Sequence, residues 1–311
     1  TVSKIQQALQ RLQQKQAGSE DTAVACAEQS MDDPVTAAAA EPPIGESGDA
    51  ADTLRHGGAD SAANLKPLYN VDVASLREGG LLPPLEASQT LAEEFRRIKR
   101  PLLANAQGHE AALGQHMNVI MIGSAMPASG KTFCSVNLAM SLAMERNRTV
   151  LLVDADVAKP HISREFGLDD RPGLLDLLDD PSASISDAIV RTDLNGIRIL
   201  PAGTRHAEAT ELLASDQMKS LIHELSTRYP DRMVVVDTPP LLLTSEAHAL
   251  ATPVGQIVVV VESGETGQQS LSQALDTLDP SKPINLVLNK ARFSTGGGYY
   301  GGYYNNYGYG D

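Results

Sequence analysis

The sequence predicts an α/β fold, a parallel sheet with helices on both faces, flanked by a disordered N-terminal linker and a tyrosine-rich C-terminal tail. Three observations carry this prediction. Five runs of β-branched and apolar residues are continuous rather than alternating, as in strands covered on both sides. Segments with helical spacing separate most of them, the order of a parallel sheet with crossover helices. The two ends have compositions that cannot build a core.

Taken in order, residues 1–16 place Val2, Ile5, Ala8, Leu9 and Leu12 at helical spacing. This is an amphipathic helix, read as docking a partner, with packing on its own domain as the alternative. Residues 17–84 are acidic, rich in Ala, Gly and Pro, and mostly without period, which predicts disordered linker. About fifty such residues span roughly 40 Å as flexible coil. The folded domain is expected over 85–292. It opens with a helix whose stripe is Leu85, Leu91, Phe95 and Ile98, ended by Pro101. Strands follow in "MNVIMIGSA" (117–125), "RTVLLVDAD" (148–156), "MVVVDTPP" (233–240), "GQIVVVVES" (255–263) and "INLVLNKA" (284–291), with a weaker one in "GIRILPAG". Helices are expected in "KTFCSVNLAMSLAMERN", in "QQSLSQALDTL", and as one long element in "ATELLASDQMKSLIHELSTRY", stopping at Pro230. Residues 293–311 hold six of the eight tyrosines, among glycines that make ordering costly.

Composition narrows the function. The chain has 311 residues and 42% hydrophobic content, enough for a sizeable core. A formal net charge of −14 argues against affinity for nucleic acid, whose phosphates need clustered Lys and Arg. Cys26 and Cys134 form no disulfide framework and suit a reducing compartment. No membrane span or signal peptide is apparent, so a cytoplasmic protein is expected. The seven histidines have no metal-ligand spacing. His248 reads as a surface helix residue, and Cys134 as buried filler rather than a nucleophile.

The chemistry is expected where the strands end. The first strand runs into "GSAMPASGKTF", where Gly130-Lys131-Thr132 opens a helix, the context of a phosphate-binding loop. Backbone N–H groups of Pro127-Ala128-Ser129-Gly130-Lys131-Thr132-Phe133 (proline excepted) and the helix N-terminus would cradle phosphates. Lys131 would reach the β/γ-phosphates and Thr132 would ligate Mg²⁺. The first glycine of the usual pattern is Ala125 here. Asp154 and Asp156 end one strand, and Asp237 ends another. Each could be a helix N-cap, but three carboxylates beside one phosphate loop are what Mg²⁺–nucleotide chemistry needs.

Two nucleotide-using classes compete. ParA/MinD-type ATPase switches share the strand–loop–helix order and "DTPP", but their signature lysine corresponds to Met126 here. "MPASGKTF", "VLLVDAD", "VVVDTPP" and the C-terminal tyrosine cluster together resemble the bacterial tyrosine kinases (BY-kinases) over residues 86–311. "VSKI" and "EEFRRIKRPLL" resemble the autokinase branch of PEP-CTERM-linked exopolysaccharide loci.

The resemblance implies a P-loop NTPase-type fold and an ATP- and Mg²⁺-dependent protein-tyrosine autokinase that regulates exopolysaccharide synthesis or export. Lys131 and Thr132 would hold phosphates and metal. Asp154 and Asp156 match the Walker A′ aspartates, one holding metal and one serving as base for the tyrosine hydroxyl. Asp237 matches the Walker B aspartate, and Asn289 lies where relatives contact adenine. The family's arginine two residues beyond Asp156 is Ala158, with Lys159 next. Glu94, Arg97 and Arg100 match a helix that packs subunits into a ring, in which Tyr299, Tyr300, Tyr303, Tyr304, Tyr307 and Tyr309 would be phosphorylated in trans. Implied partners are a membrane-bound chain-length-determinant activator, which would recruit the protein to the inner membrane, and a counteracting tyrosine phosphatase. The ATPase switch is the alternative reading, and a binding-only module a third.

Overall fold

The computed structural model describes residues 67–108, 115–194, 196–229 and 231–291. The expected helix over 1–16, most of the 17–84 linker and the 293–311 tail lie outside the described residues.

Seven strands form one sheet: β1 (Val119–Ser124), β2 (Thr149–Asp154), β3 (Val190–Arg191), β4 (Ile197–Leu200), β5 (Arg232–Asp237), β6 (Gln256–Glu262) and β7 (Ile284–Asn289). Their spatial order is β3-β4-β2-β5-β1-β6-β7, parallel except for β3 against β4. The helices are α1 (Val73–Glu78), α2 (Ser88–Gln107), α3 (Lys131–Ala143), α4 (His161–Glu165), α5 (Leu174–Asp179), α6 (Ile185–Ala188), α7 (Ala209–Leu213), α8 (Asp216–Thr227), α9 (Ser245–Ala251) and α10 (Gln268–Asp276).

Side chains alternate across each strand, so one sheet buries two cores. Val119, Met121, Leu151, Val153, Val234, Val236, Ile257 and Val259 meet residues from α5, α7, α8 and α9 on one face. Ile120, Ile122, Val150, Leu152, Met233, Val235, Val258 and Val260 meet α2, α3 and α4 on the other. Both faces being covered explains the continuous apolar runs.

Four expectations need correction. The domain begins earlier than the expected residue 85, because residues 67–84 already belong to it. Val71, Leu76, Leu81 and Leu82 are buried in the second core. Tyr69 Oη donates to the Phe166 carbonyl at 2.8 Å, Tyr69 forms a bridge with Thr192, and Asn137 Nδ2 donates to the Leu81 carbonyl at 2.8 Å. These contacts are all distant in sequence, so local composition could not report them.

Pro101 does not end its helix either, because α2 carries it inside and continues to Gln107. The extra turn buries Leu102 and packs Leu103 and Ala106 against the second core. That burial offsets a proline penalty of about 3 kcal/mol. The long helix expected before Pro230 is two, α7 and α8. They are separated because Ser215 caps α8, its hydroxyl accepting from Met218 N at 3.3 Å. Finally, β7 is an edge strand rather than a buried one, with Leu286 and Leu288 exposed.

Candidate active site

The carboxyl ends of β1, β2, β5 and β7 converge on the loop between β1 and α3. Within that loop, Ser124 Oγ and Ser129 Oγ both donate to the Met126 carbonyl, at 2.6 and 3.1 Å. Ala125 is buried, and its carbonyl accepts from Leu242 N at 3.3 Å, so the missing first glycine is replaced by a small side chain the site encloses. Gly130 has φ +89°, and a Cβ there would collide with the Asn289 side-chain amide. Glycine is therefore required by conformation, and an added Cβ would also push the Asn289 amide from its place.

Gly130 hands the chain to α3, whose first residue, Lys131, is buried. Burial pushes the Lys131 ammonium below its usual value, against the attraction of Asp237 and Asp156. Thr132 Oγ1 donates to Asp237 Oδ2 at 2.8 Å, and Ser135 Oγ donates to Asp237 Oδ1 at 2.9 Å. Asp154 and Asp237 are register partners at the ends of β2 and β5, and both are fully buried. Asp154 Oδ2 accepts from the Ser163 amide and hydroxyl, each at 2.7 Å, whereas its Oδ1 is buried with no hydrogen-bond partner.

Electrostatics follow from that crowding. Burial, reinforced by the Asp237 charge, pushes Asp154 up to about 7. Burial pushes Asp237 up to about 6, opposed by Thr132, Lys131 and Ser135. Asp156 is raised by burial, with Lys131, Lys159 and His161 pulling the other way. Lys159 thus acts on Asp156 through charge, and its backbone N–H donates to Asp156 Oδ1 at 3.3 Å.

The donors present suit Mg²⁺. Thr132 Oγ1, Asp237 and the orphaned Oδ1 of Asp154 form an all-oxygen set, and magnesium binds through one or two carboxylates completed by phosphate and water. Among the described residues, no group of three or more His, Cys, Asp or Glu is placed to hold a metal ion by itself.

The structure places Pro127 through Phe133, Asp154, Asp156 and Asp237 near one another at the carboxyl ends of β1, β2 and β5. It places Asn289 on the loop, where Nδ2 donates to the Ser129 carbonyl at 2.9 Å. Glu94, Arg97 and Arg100 lie elsewhere, exposed on α2 opposite Phe95, Lys99 and Leu102. Several contributors were not singled out from sequence. Lys290, with φ +56°, bridges the Ala128 carbonyl and Glu262 Oε1, both at 2.8 Å, which straps the loop to β6 and β7. Ser135 follows Thr132 by three residues on α3, a helical neighbour that spacing could have found. Ser163 had no signal of its own. No helix among the described residues is long and apolar enough to cross a membrane.

Comparison with known proteins agrees with this geometry. The AAA domain family model matches residues 117–289. Tyrosine-protein kinase YwqD of Bacillus subtilis (strain 168) is 33% identical over 214 residues, covering 68% of this chain and 86% of YwqD. The succinoglycan biosynthesis transport protein ExoP of Rhizobium meliloti (strain 1021) is 35% identical over 68% of this chain. The matching region is only 26% of ExoP, and likewise 26% of tyrosine-protein kinase ptk of Acinetobacter johnsonii, at 31% identity over 61% of this chain. Among solved structures, the VpsO kinase domain superposes with a TM-score of 0.56 at 29% identity, covering 67% of this chain and 100% of that one. The kinase domain of Escherichia coli tyrosine kinase ETK gives 0.53 at 28% identity, covering 58% of this chain and 71% of that one. The fold is thus a P-loop NTPase-type kinase domain. Similarity that runs through most of YwqD and all of the VpsO kinase domain places this chain in the bacterial tyrosine kinase (BY-kinase) family.

Proposed function

We propose that the protein is an ATP- and Mg²⁺-dependent protein-tyrosine autokinase that phosphorylates its own C-terminal tyrosine cluster in trans and regulates exopolysaccharide biosynthesis or export. The observation that carries this reading is Asp154: a buried carboxylate beside a phosphate loop, one oxygen held and the other unpartnered. A tyrosine hydroxyl has an ordinary pKa near 10, about three units from ionising at neutral pH. Asp156, half-buried just past the end of β2 and raised by that burial, is the Walker A′ carboxylate placed to accept its proton.

In the transfer, the tyrosine O–H gives its proton to Asp156 while the phenolic oxygen forms a bond to the γ-phosphorus. The bond from that phosphorus to the β–γ bridging oxygen breaks, and ADP leaves with both electrons. Loop amides and Lys131 orient the β- and γ-phosphates and stabilise charge that shifts toward the leaving group. Mg²⁺, when bound by Thr132, Asp237 and Asp154, supplies further charge neutralisation on the phosphates. Lys131, Lys159 and His161 act on Asp156 by charge, against the burial that raises it. Asn289 positions Ser129 and is proposed to touch the adenine edge.

The acceptors are Tyr299, Tyr300, Tyr303, Tyr304, Tyr307 and Tyr309, offered by a neighbouring subunit in a ring assembled through Glu94, Arg97 and Arg100. Residues 1–16 would dock a membrane-bound chain-length-determinant activator, holding the enzyme at the inner membrane. A tyrosine phosphatase would reverse the modification.

Incubation with ATP and Mg²⁺ followed by phosphotyrosine mapping tests the reading, with label expected on several tail tyrosines. Release of ADP without phosphotyrosine would replace it by the ParA/MinD-like ATPase switch.

A further inference from the structure

Two exposed apolar residues occupy neighbouring positions where the strands end. The backbone beyond β5 is zipped to the backbone beyond β1: Leu241 N donates to the Ser124 carbonyl at 2.8 Å, and Leu242 N to the Ala125 carbonyl at 3.3 Å. One step further, the same register brings Leu243 and Met126 to adjacent positions, and they are 60% and 40% exposed. Ala155 N donates to the Asp237 carbonyl at 2.9 Å, which ties the end of β2 into the same row. Val157, next to Asp156, is partly buried against the first core. Three loops thus bring Met126, Val157 and Leu243 to the rim of the site that holds Lys131, Asp156 and Asp237.

The acceptor segment has chemistry to match. Residues 296–311, "GGGYYGGYYNNYGYGD", carry no lysine or arginine and one acidic side chain, Asp311. Glycine has no side chain to recognise, so the tyrosine rings are the only apolar groups the segment offers. A tyrosine ring is apolar over its body and polar at its tip, which suits a site with an apolar rim and a polar floor. With its hydroxyl at Asp156, the ring has to rest on what surrounds that carboxylate, and Val157 is its neighbour in the chain. The tail also starts at the same pole of the domain. Asn289, the last residue of β7, and Lys290 donate to the Ser129 and Ala128 carbonyls of the phosphate loop.

We infer that Met126, Val157 and Leu243 form the acceptor subsite, an apolar collar that takes a tyrosine ring from a neighbouring copy's tail and delivers its hydroxyl to Asp156. The inference rests on the kinase reading and names how that reaction selects its substrate: a tyrosine among small uncharged residues, with no charged motif around it. Six tyrosines in different contexts can share one such collar, because it reads the ring and not the residues beside it. Phosphorylation adds about −1.5 to −2 charge at the tip of the ring. An apolar rim holds that charge poorly, so the product leaves and the next tyrosine enters.

In the test, full-length protein receives a synthetic peptide of residues 296–311 with ATP and Mg²⁺. Mass spectrometry follows label on the peptide and on the chain's own tail. Met126→Gln and Leu243→Gln keep a side chain of similar size and make the rim polar. Each should raise the KM for peptide roughly tenfold and slow tail labelling by a similar factor, with the KM for ATP within about twofold of wild type. Both positions are exposed, so the melting temperature and the mass in light scattering should stay at wild-type values. Leu243→Met keeps the rim apolar and should hold the peptide KM near wild type. Unchanged peptide KM and tail labelling in both glutamine variants overturn the inference. So does a loss confined to the KM for ATP, or one that accompanies a fall in mass, which would make the rim a contact between subunits. Wild-type protein that releases ADP and labels neither peptide nor tail overturns the kinase reading instead, and the collar falls with it.

Discussion

Lys131, Asp154 and Asp237 occupy one buried volume, and their individual roles are separable. Lys131→Met keeps the length of the side chain and removes its charge. Tail labelling should fall at least about a hundredfold with the melting temperature nearly unchanged, because the lost interaction is with transferring phosphate. Labelling that survives would remove Lys131 from the mechanism. Cys134 makes a contrasting case. Burial, with Asp237 nearby, pushes its thiol up to about 12, so almost no thiolate exists at neutral pH. Iodoacetamide at about pH 8 should leave the Cys134 peptide unmodified in the native protein and modify it after unfolding. Rapid native alkylation would show the site to be open. At this scale the sequence read well: Gly130-Lys131-Thr132 and the strand-ending aspartates were legible from local context. Ser163 and Lys290 were not, because their roles depend on carbonyls and carboxylates placed by other segments.

Among the elements, α2 combines a buried and an exposed function. Lys99, on its inner side, donates to the Ser141 carbonyl at 2.6 Å and pairs with Glu145 at 2.7 Å, fastening α2 to the C-terminal end of α3. A cation there also suits the negative end of the α3 dipole. Lys99→Met should therefore destabilise the domain by on the order of 1–3 kcal/mol, since it leaves the Ser141 carbonyl without this donor. Chemical denaturation measures it, and an unchanged midpoint would contradict the fastening. The outer side carries Glu94, Arg97 and Arg100. Replacing Arg97 and Arg100 by Ala should shift the protein toward monomers in light scattering while leaving the denaturation midpoint in place. Unchanged mass would show that this face is no interface. The stripe that predicted α2 was sound, but its end was not. A proline signals the local cost of continuing, whereas the burial of Leu102 that repays it is visible only in the folded domain.

For the whole molecule, the N-terminal boundary and the acidic site set the stability. Removing residues 1–66 should leave the denaturation midpoint almost unchanged. Removing 1–84 strips Val71, Leu76, Leu81 and Leu82 from the second core, a loss of roughly 6–10 kcal/mol from burial alone, enough to unfold an ordinary domain. Equal stability of the two truncations would contradict the packed segment. The buried carboxylates add a pH dependence to the metal-free protein. Asp154 at about 7 and Asp237 at about 6 bind protons more tightly folded than unfolded, where 3.8 applies. Their favourable contribution is complete below about pH 4 and is lost as pH rises through 6 to 7. In EDTA, thermal stability should therefore fall between about pH 5.5 and pH 8, and Mg²⁺ with ATP should recover it at the higher value. A melting temperature that rises with pH in EDTA would contradict this.

By itself the sequence determined the parallel sheet, the phosphate loop and the carboxylates at the strand ends. Each of these is written in a short contiguous stretch, where strand period, turn chemistry and the loop-to-helix junction are decided by neighbours in the chain. Tertiary structure alone decided where the domain begins, that α2 continues past Pro101, and that β7 is an exposed edge. It also decided that Ser163 leaves Asp154 one unpartnered oxygen. These features depend on surface buried, or hydrogen bonds completed, between residues far apart in sequence, and such energies have no local signature.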